Sequence, residues 1–125
     1  MPLLQFDASF PIADADAEAF AETVTDLYVE EMETSSGHVA VTIRDEQRLS
    51  IGRQEGDRLV FLDAEIRRGR NFDRKRAFAL AVMDEIVARF DVPEPNVKVV
   101  FTEHAGENMM GYDRVGGEWN PDEAE

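Results

Sequence analysis

Cysteine is absent from the 125 residues, which excludes disulfides, thiolate nucleophiles and sulfur-ligated zinc. Imidazole is almost as scarce. His38 and His104 are the two histidines, and their spacing does not set them as ligands on one helix, so no metal is expected. Lysine is reduced to Lys75 and Lys98 among 13 cations, against 27 acidic residues, for a net charge of −14. A chain so acidic has no basic surface with which to displace counterions from phosphates, so nucleic acid is not expected as a partner. Scarce lysine with surplus carboxylate is similar to the proteins of salt-loving archaea, where concentrated salt screens the self-repulsion; a merely acidic mesophilic protein is the plainer alternative. No apolar run approaches the roughly 18 residues of a membrane span. The first twenty residues carry Asp7, Asp14, Asp16 and Glu18 instead of the basic flank and apolar stretch of a secretion signal. A cytoplasmic protein with no membrane partner is the expectation.

Apolar residues make up 43% of the chain, enough for one compact core, and at this size self-assembly is a common way to complete it. Alternating or continuous apolar runs predict strands at Leu3 to Phe6, His38 to Ile43, Leu59 to Ile66 and Val97 to Phe101, with a weaker candidate at Leu49 to Ile51. Two helical stripes lie between them. The first holds Phe20, Val24, Leu27, Tyr28 and Met32 after possible caps Asp14 and Asp16; the second holds Phe78, Val82, Met83, Ile86 and Phe90 after Asn71. Sliding the sequence by 58 residues sets Ala19-Phe20-Ala21 on Ala77-Phe78-Ala79, and His38 to Val41 on Asn96 to Val99. A helix and its following strand match at one offset, which favours an internal repeat of about 2–46 and 60–104 over chance amphipathicity.

Two strand-helix-strand units predict an α+β fold, β-α-β-β-α-β, with both helices on one face of a single four-stranded mixed sheet. If a pseudo-twofold relates the units, the two first strands run side by side and antiparallel. The start of one then meets the end of the other, which brings Pro2 towards the arginine-rich run Arg67 to Arg70. The expected layout is a single domain over 1–119 followed by an acidic tail, 120–125, with the second sheet face left for other subunits.

Pro2 follows the initiator methionine directly, and small second residues normally permit removal of Met1. The exposed secondary amine would titrate near the ordinary α-amino range of about 7.7 to 8.0, and burial or neighbouring cations would depress it further. Such a group can act as a base near neutrality. A proline at position two is equally compatible with no chemical role.

Met1-Pro2-Leu3-Leu4, the repeat, and the run Val99-Val100-Phe101-Thr102-Glu103 together resemble the tautomerase superfamily, which includes 4-oxalocrotonate tautomerase, macrophage migration inhibitory factor and cis-3-chloroacrylic acid dehalogenase. The resemblance covers most of 2–119, is vague from Gly37 to Asp57 and is absent in the tail. It implies a cofactor-independent homotrimer with sites at subunit boundaries around each N-terminal proline. Arg67-Arg68-Gly69-Arg70, Met110-Gly111-Tyr112-Asp113-Arg114 and Gly117-Glu118-Trp119 are most similar to the dehalogenase group. By that resemblance Pro2, Tyr112 and Glu118 would be catalytic, and Arg67 and Arg70 would hold a substrate carboxylate, as guanidinium forks do. Tyr28 falls where that group has a substrate-binding histidine. A phenol donates a hydrogen bond but lacks the charge of imidazole, which weakens dehalogenation as such.

These residues also have plainer readings. The arginines would serve as a solvated loop on an acidic protein, Tyr28 as a packed core residue, Tyr112 and Glu118 as interface or surface groups, and Trp119 as an anchor for the tail. His104 and Asn108 carry no assigned role. The leading expectation is a tautomerase of a small 2-oxo or 2-hydroxy-unsaturated carboxylate. A hydratase or hydrolytic dehalogenase, a malonate semialdehyde decarboxylase and a non-enzymatic trimeric binding module are the alternatives.

Overall fold

The structure, a computed structural model, describes residues 1–121; of the acidic tail, 122–125 lie outside the described residues. Strands β1 (Leu3–Ala8), β2 (Ala40–Arg44), β3 (Val60–Arg67) and β4 (Val97–His104) form one mixed sheet in the order β2-β1-β3-β4. Helices α1 (Asp14–Met32) and α2 (Phe72–Phe90) connect the parallel pairs β1/β2 and β3/β4, while β1 and β3 run antiparallel at the centre. This is the fold class expected from the sequence. Both helices contain 19 residues, and α2 starts 58 residues after α1. Each ends on a left-handed residue, Glu33 (φ 49°) and Asp91 (φ 54°), that stops the helix and turns the chain back towards the sheet.

The period-two pattern of β1 and β3 puts Leu4, Phe6, Ala8, Val60, Leu62, Ala64 and Ile66 beneath the helices. The helical stripes Phe20, Val24, Tyr28, Met32 and Phe78, Val82, Ile86, Phe90 close on them. Aromatic rings meet edge-to-face, sheet to helix at Phe6 and Phe20 (4.9 Å) and helix to helix at Phe20 and Phe90 (5.1 Å) and at Tyr28 and Phe78 (5.2 Å). The opposite face of the sheet is mostly polar, with Leu3, Phe61 and Val100 as its large apolar residues. Gln5 and Asp7 of β1 lie across from Asp63 and Phe61 of β3, and Glu65 lies across from Thr102 of β4.

Three differences from the sequence expectation have physical causes. The apolar run Leu49 to Ile51 forms no strand but lies in the 45–59 loop, which Asn96 ties down from inside. Asn96 is fully buried; its Nδ2 donates to the Glu55 and Arg58 carbonyls at 2.5 and 2.9 Å, and its Oδ1 accepts from the Glu55 N–H at 2.9 Å. His38 belongs to a short 3-10 turn, Ser36–His38, and β2 begins only at Ala40. Finally β4 runs to His104 rather than ending at Phe101, because its polar end Thr102-Glu103-His104 pairs in register with Glu65-Ile66-Arg67. Side chains secure that extension. His104 bonds Glu65 at 2.7 Å, Lys75 bonds Glu103 at 3.0 Å, and the Arg68 N–H donates to the His104 carbonyl at 2.8 Å.

Candidate active site

The antiparallel pairing of β1 with β3 sets Leu3 opposite Glu65, so the chain start lies at the end of the sheet where β3 and β4 finish. A cleft of about 520 Å³ opens there. Pro2 and Met1 line it together with His38, Glu65, His104, Asn108 and the backbone around Met109 to Gly111. Pro2 is buried. Its carbonyl accepts from the Ala40 N–H at 3.1 Å, which fixes the start of β1 against β2.

Glu65 and His104 were not assigned a role by the sequence, nor was Asn108, yet all three share the cleft with Pro2. The His104 Nε2 lies 2.7 Å from the Glu65 Oε1. That bond holds the Glu65 carboxyl below its ordinary value, against a partial burial that pushes it up. Asp63, next on the same face, moves the other way. Partial burial raises it first, followed by its hydrogen bond to Glu65 and by repulsion from Glu65 and Asp7, with His104 opposing. Across the cleft, the Arg114 Nη1 donates to the His38 Nε2 at 2.5 Å.

The residues expected to bind carboxylate lie beneath a folded-back segment adjoining the cleft. After β4 the chain turns through 106–108 and forms a small hairpin closed by a bridge between Met110 and Val115. It then passes so close to Gly106 that a Cβ there would stand 2.2 Å from the Gly117 carbonyl oxygen. Arg67 and Arg70 are covered by this strap, at 7% and 5% exposure. The Arg67 Nη1 donates to the Gly117 carbonyl at 2.9 Å. Arg70 donates from Nε to the Met32 carbonyl at 2.8 Å, and its guanidinium lies 5.0 Å from the Trp119 ring and 5.6 Å from the Tyr28 ring.

Tyr28 is 1% exposed, packed on Phe78 beneath Arg70. Trp119 donates from Nε1 to the Glu33 carbonyl at 3.0 Å and carries Arg74 as well as Arg70 on its ring. Glu118 is exposed and pairs with Arg68 at 3.3 Å, and Tyr112 is fully exposed at the hairpin tip. Within one chain, then, the Pro2 cleft gathers the histidines and Glu65. The strap gathers Arg67, Arg70, Tyr28 and Trp119, while Tyr112 and Glu118 face outward.

No family model and no curated protein sequence matches the chain. Solved structures do. A member of the cis-3-chloroacrylic acid dehalogenase family called N1 superposes with a TM-score of 0.78 at 23% identity, over 91% of this chain and 84% of the other. MIF2 of Leishmania major gives 0.79 at 14% identity over 93% and 97%. A fused 4-OT, described as a symmetric trimer, gives 0.79 at 16% identity over 91% and 94%. At these identities the likeness establishes the fold: the chain has the fold of the tautomerase superfamily.

Proposed function

We propose that the chain, once Met1 is removed, is a cofactor-independent tautomerase that interconverts the keto and enol forms of a small 2-oxo carboxylate. The observation that carries this reading is the position of Pro2, buried on the wall of a cleft at the sheet end where β1 starts and β3 and β4 finish. A neutral imino nitrogen there takes a proton from carbon and returns it on the reverse course. The carboxylate anchor is Arg67, with Arg70 behind it. Continuing the β1/β3 register beyond Leu3 and Glu65 puts Met1 across from Arg67 in the sheet, so loss of Met1 opens the strand position that faces Arg67, next to the new amine. A guanidinium fork there would hold the carboxylate and stabilise the enolate charge that develops on the adjoining oxygen.

We also propose a homotrimer. The helix-free face of the sheet needs a cover for Phe61 and for Val100, which is 47% exposed, and the fused 4-OT of the same fold is a symmetric trimer. Tyr112, fully exposed at a hairpin tip, would then serve the site of an adjacent copy. A second reading, addition of water to an unsaturated acid, draws on Glu118, whose ion pair with Arg68 keeps a carboxylate near the strap. It starts from a protonated Pro2, whereas the enolising direction of the tautomerase starts from a neutral one.

The test is ketonisation of phenylenolpyruvate by the processed protein in concentrated salt. Pro2→Ala should lower kcat by at least about a hundredfold, the usual scale of a lost acid–base group. Undiminished turnover by that variant would remove the reading.

A further inference from the structure

The chain has two histidines and both line the Pro2 cleft, but their partners make them unlike. A guanidinium has donors and no acceptor, so the Arg114 contact at 2.5 Å makes the His38 Nε2 an acceptor and leaves the ring proton on Nδ1. A second proton on Nε2 would have to displace the arginine. For His104 the partner is a carboxylate, 2.7 Å from Nε2. The Glu65 oxygen accepts, so Nε2 carries a proton and Nδ1 is the nitrogen whose protonation can change. The arrangement has the logic of an acid–base histidine oriented by a buried or half-buried carboxylate. Here the imidazole and carboxylate are only 32% and 26% exposed.

We propose that His104 is a second catalytic acid–base residue of this cleft, positioned by Glu65, which serves the substrate oxygen while Pro2 serves the substrate carbon. The proposal rests on the tautomerase reading above. In the enolising direction the C–H bond beside the carbonyl breaks and its proton goes to the Pro2 nitrogen. The bonding pair becomes the new C=C, and the carbonyl oxygen takes the proton from the His104 Nδ1. Ketonisation runs the same transfers backwards, and solvent returns both groups to their starting states.

In either direction the working form holds one proton between the two groups, so kcat/KM should be bell-shaped in pH, and its two limbs belong to the pair. The charges that bear on His104 are Glu65 and Asp63 from β3, its register partner Arg67, the Pro2 amine in the same cleft, and His38 with Arg114 across it. Glu103, the neighbour in sequence, is engaged by Lys75.

Phenylenolpyruvate ketonisation is measured against pH for wild type, His104→Gln, Glu65→Gln and Pro2→Ala, with circular dichroism to check folding. His104→Gln should lose kcat by about a hundredfold with KM nearly unchanged. In ketonisation a neutral His104 takes the enol proton and a protonated Pro2 gives its own to carbon, so the variant should lose the acid limb while keeping the alkaline one. Glu65→Gln should keep both limbs but lower kcat, because the imidazole loses the carboxylate that holds its tautomer and orientation. A His104→Gln enzyme with wild-type kcat and an intact acid limb overturns the proposal. If that variant fails to fold, a Glu65→Gln enzyme with wild-type kcat overturns it instead. The Pro2→Ala arm separates the two failures. Loss of activity there with an unaffected His104→Gln sinks this inference alone, whereas wild-type rates in Pro2→Ala, or no turnover by wild type, sink the tautomerase reading and this inference with it.

Discussion

Gly69 stands between Arg68 and Arg70 with φ of +125°, a conformation in which L side chains are strained by roughly 1–3 kcal/mol. A Cβ added there would also meet the Trp119 Cβ at 3.3 Å and the Trp119 carbonyl oxygen at 3.4 Å, so the strap must give way as well. Gly69→Ala should therefore destabilise the fold by about 2 kcal/mol. At roughly 4 °C per kcal/mol for a domain of this size, that lowers Tm by about 8 °C. Gly37→Ala is the control: φ is not positive there and nothing lies within 4 Å of the added carbon. It should stay within about 0.5 kcal/mol of wild type. Thermal unfolding by calorimetry at matched salt and protein concentration gives both values. The emission of Trp119, the one tryptophan, reports the strap directly, because its ring carries Arg70 and Arg74. If Gly69→Ala melts with wild type and leaves the emission unchanged, the strap does not bear on the arginine turn as described.

Asn96→Ala removes three hydrogen bonds from a fully buried side chain and leaves the Glu55 and Arg58 backbone groups unsatisfied. Urea unfolding should show a loss of about 3 kcal/mol, at roughly 1 kcal/mol per bond. Side-chain carboxyl NMR should find Glu65 titrating below its ordinary 4.5 and Asp63 above its ordinary 3.8. The linkage signs follow: the Glu65 contribution to stability is present above 4.5 and fades as pH falls through its folded value, whereas Asp63 lowers stability as pH rises from 3.8 through its folded value. His104→Gln should bring Glu65 back up, and Glu65→Gln should bring Asp63 part of the way down, since burial of Asp63 remains.

The fold was legible because its period is repeated. A helical stripe of Phe20, Val24, Tyr28 and Met32 recurs 58 residues later as Phe78, Val82, Ile86 and Phe90, and all eight are buried. Two β-α-β units then leave few ways to build one sheet. Loop apolarity was misleading at Leu49 to Ile51, where the organising group is a distant buried asparagine. The site was legible in part. Pro2 and the sheet end it occupies follow from strand order, whereas the cleft histidines do not. The sequence pattern sets His38 in a strand and His104 beyond one, because Thr102-Glu103-His104 has no apolar alternation. Its pairing is stabilised by Glu65 and Lys75, partners 39 and 28 residues away. The signal was present in the register: once β1 meets β3 antiparallel and β3 meets β4 in parallel, the last residues of β4 must approach Pro2. The burial of Arg67 and Arg70 was not readable at all, since it depends on Gly106 letting the Gly117 backbone pass.

The central claim concerns one nitrogen. Protein lacking Met1 and protein retaining it, distinguished by intact mass, should be compared for phenylenolpyruvate ketonisation at equal concentration in high salt. The processed chain should turn over, and the form in which methionine still acylates Pro2 should be slower by at least about a hundredfold. Equal rates for the two forms would contradict that claim.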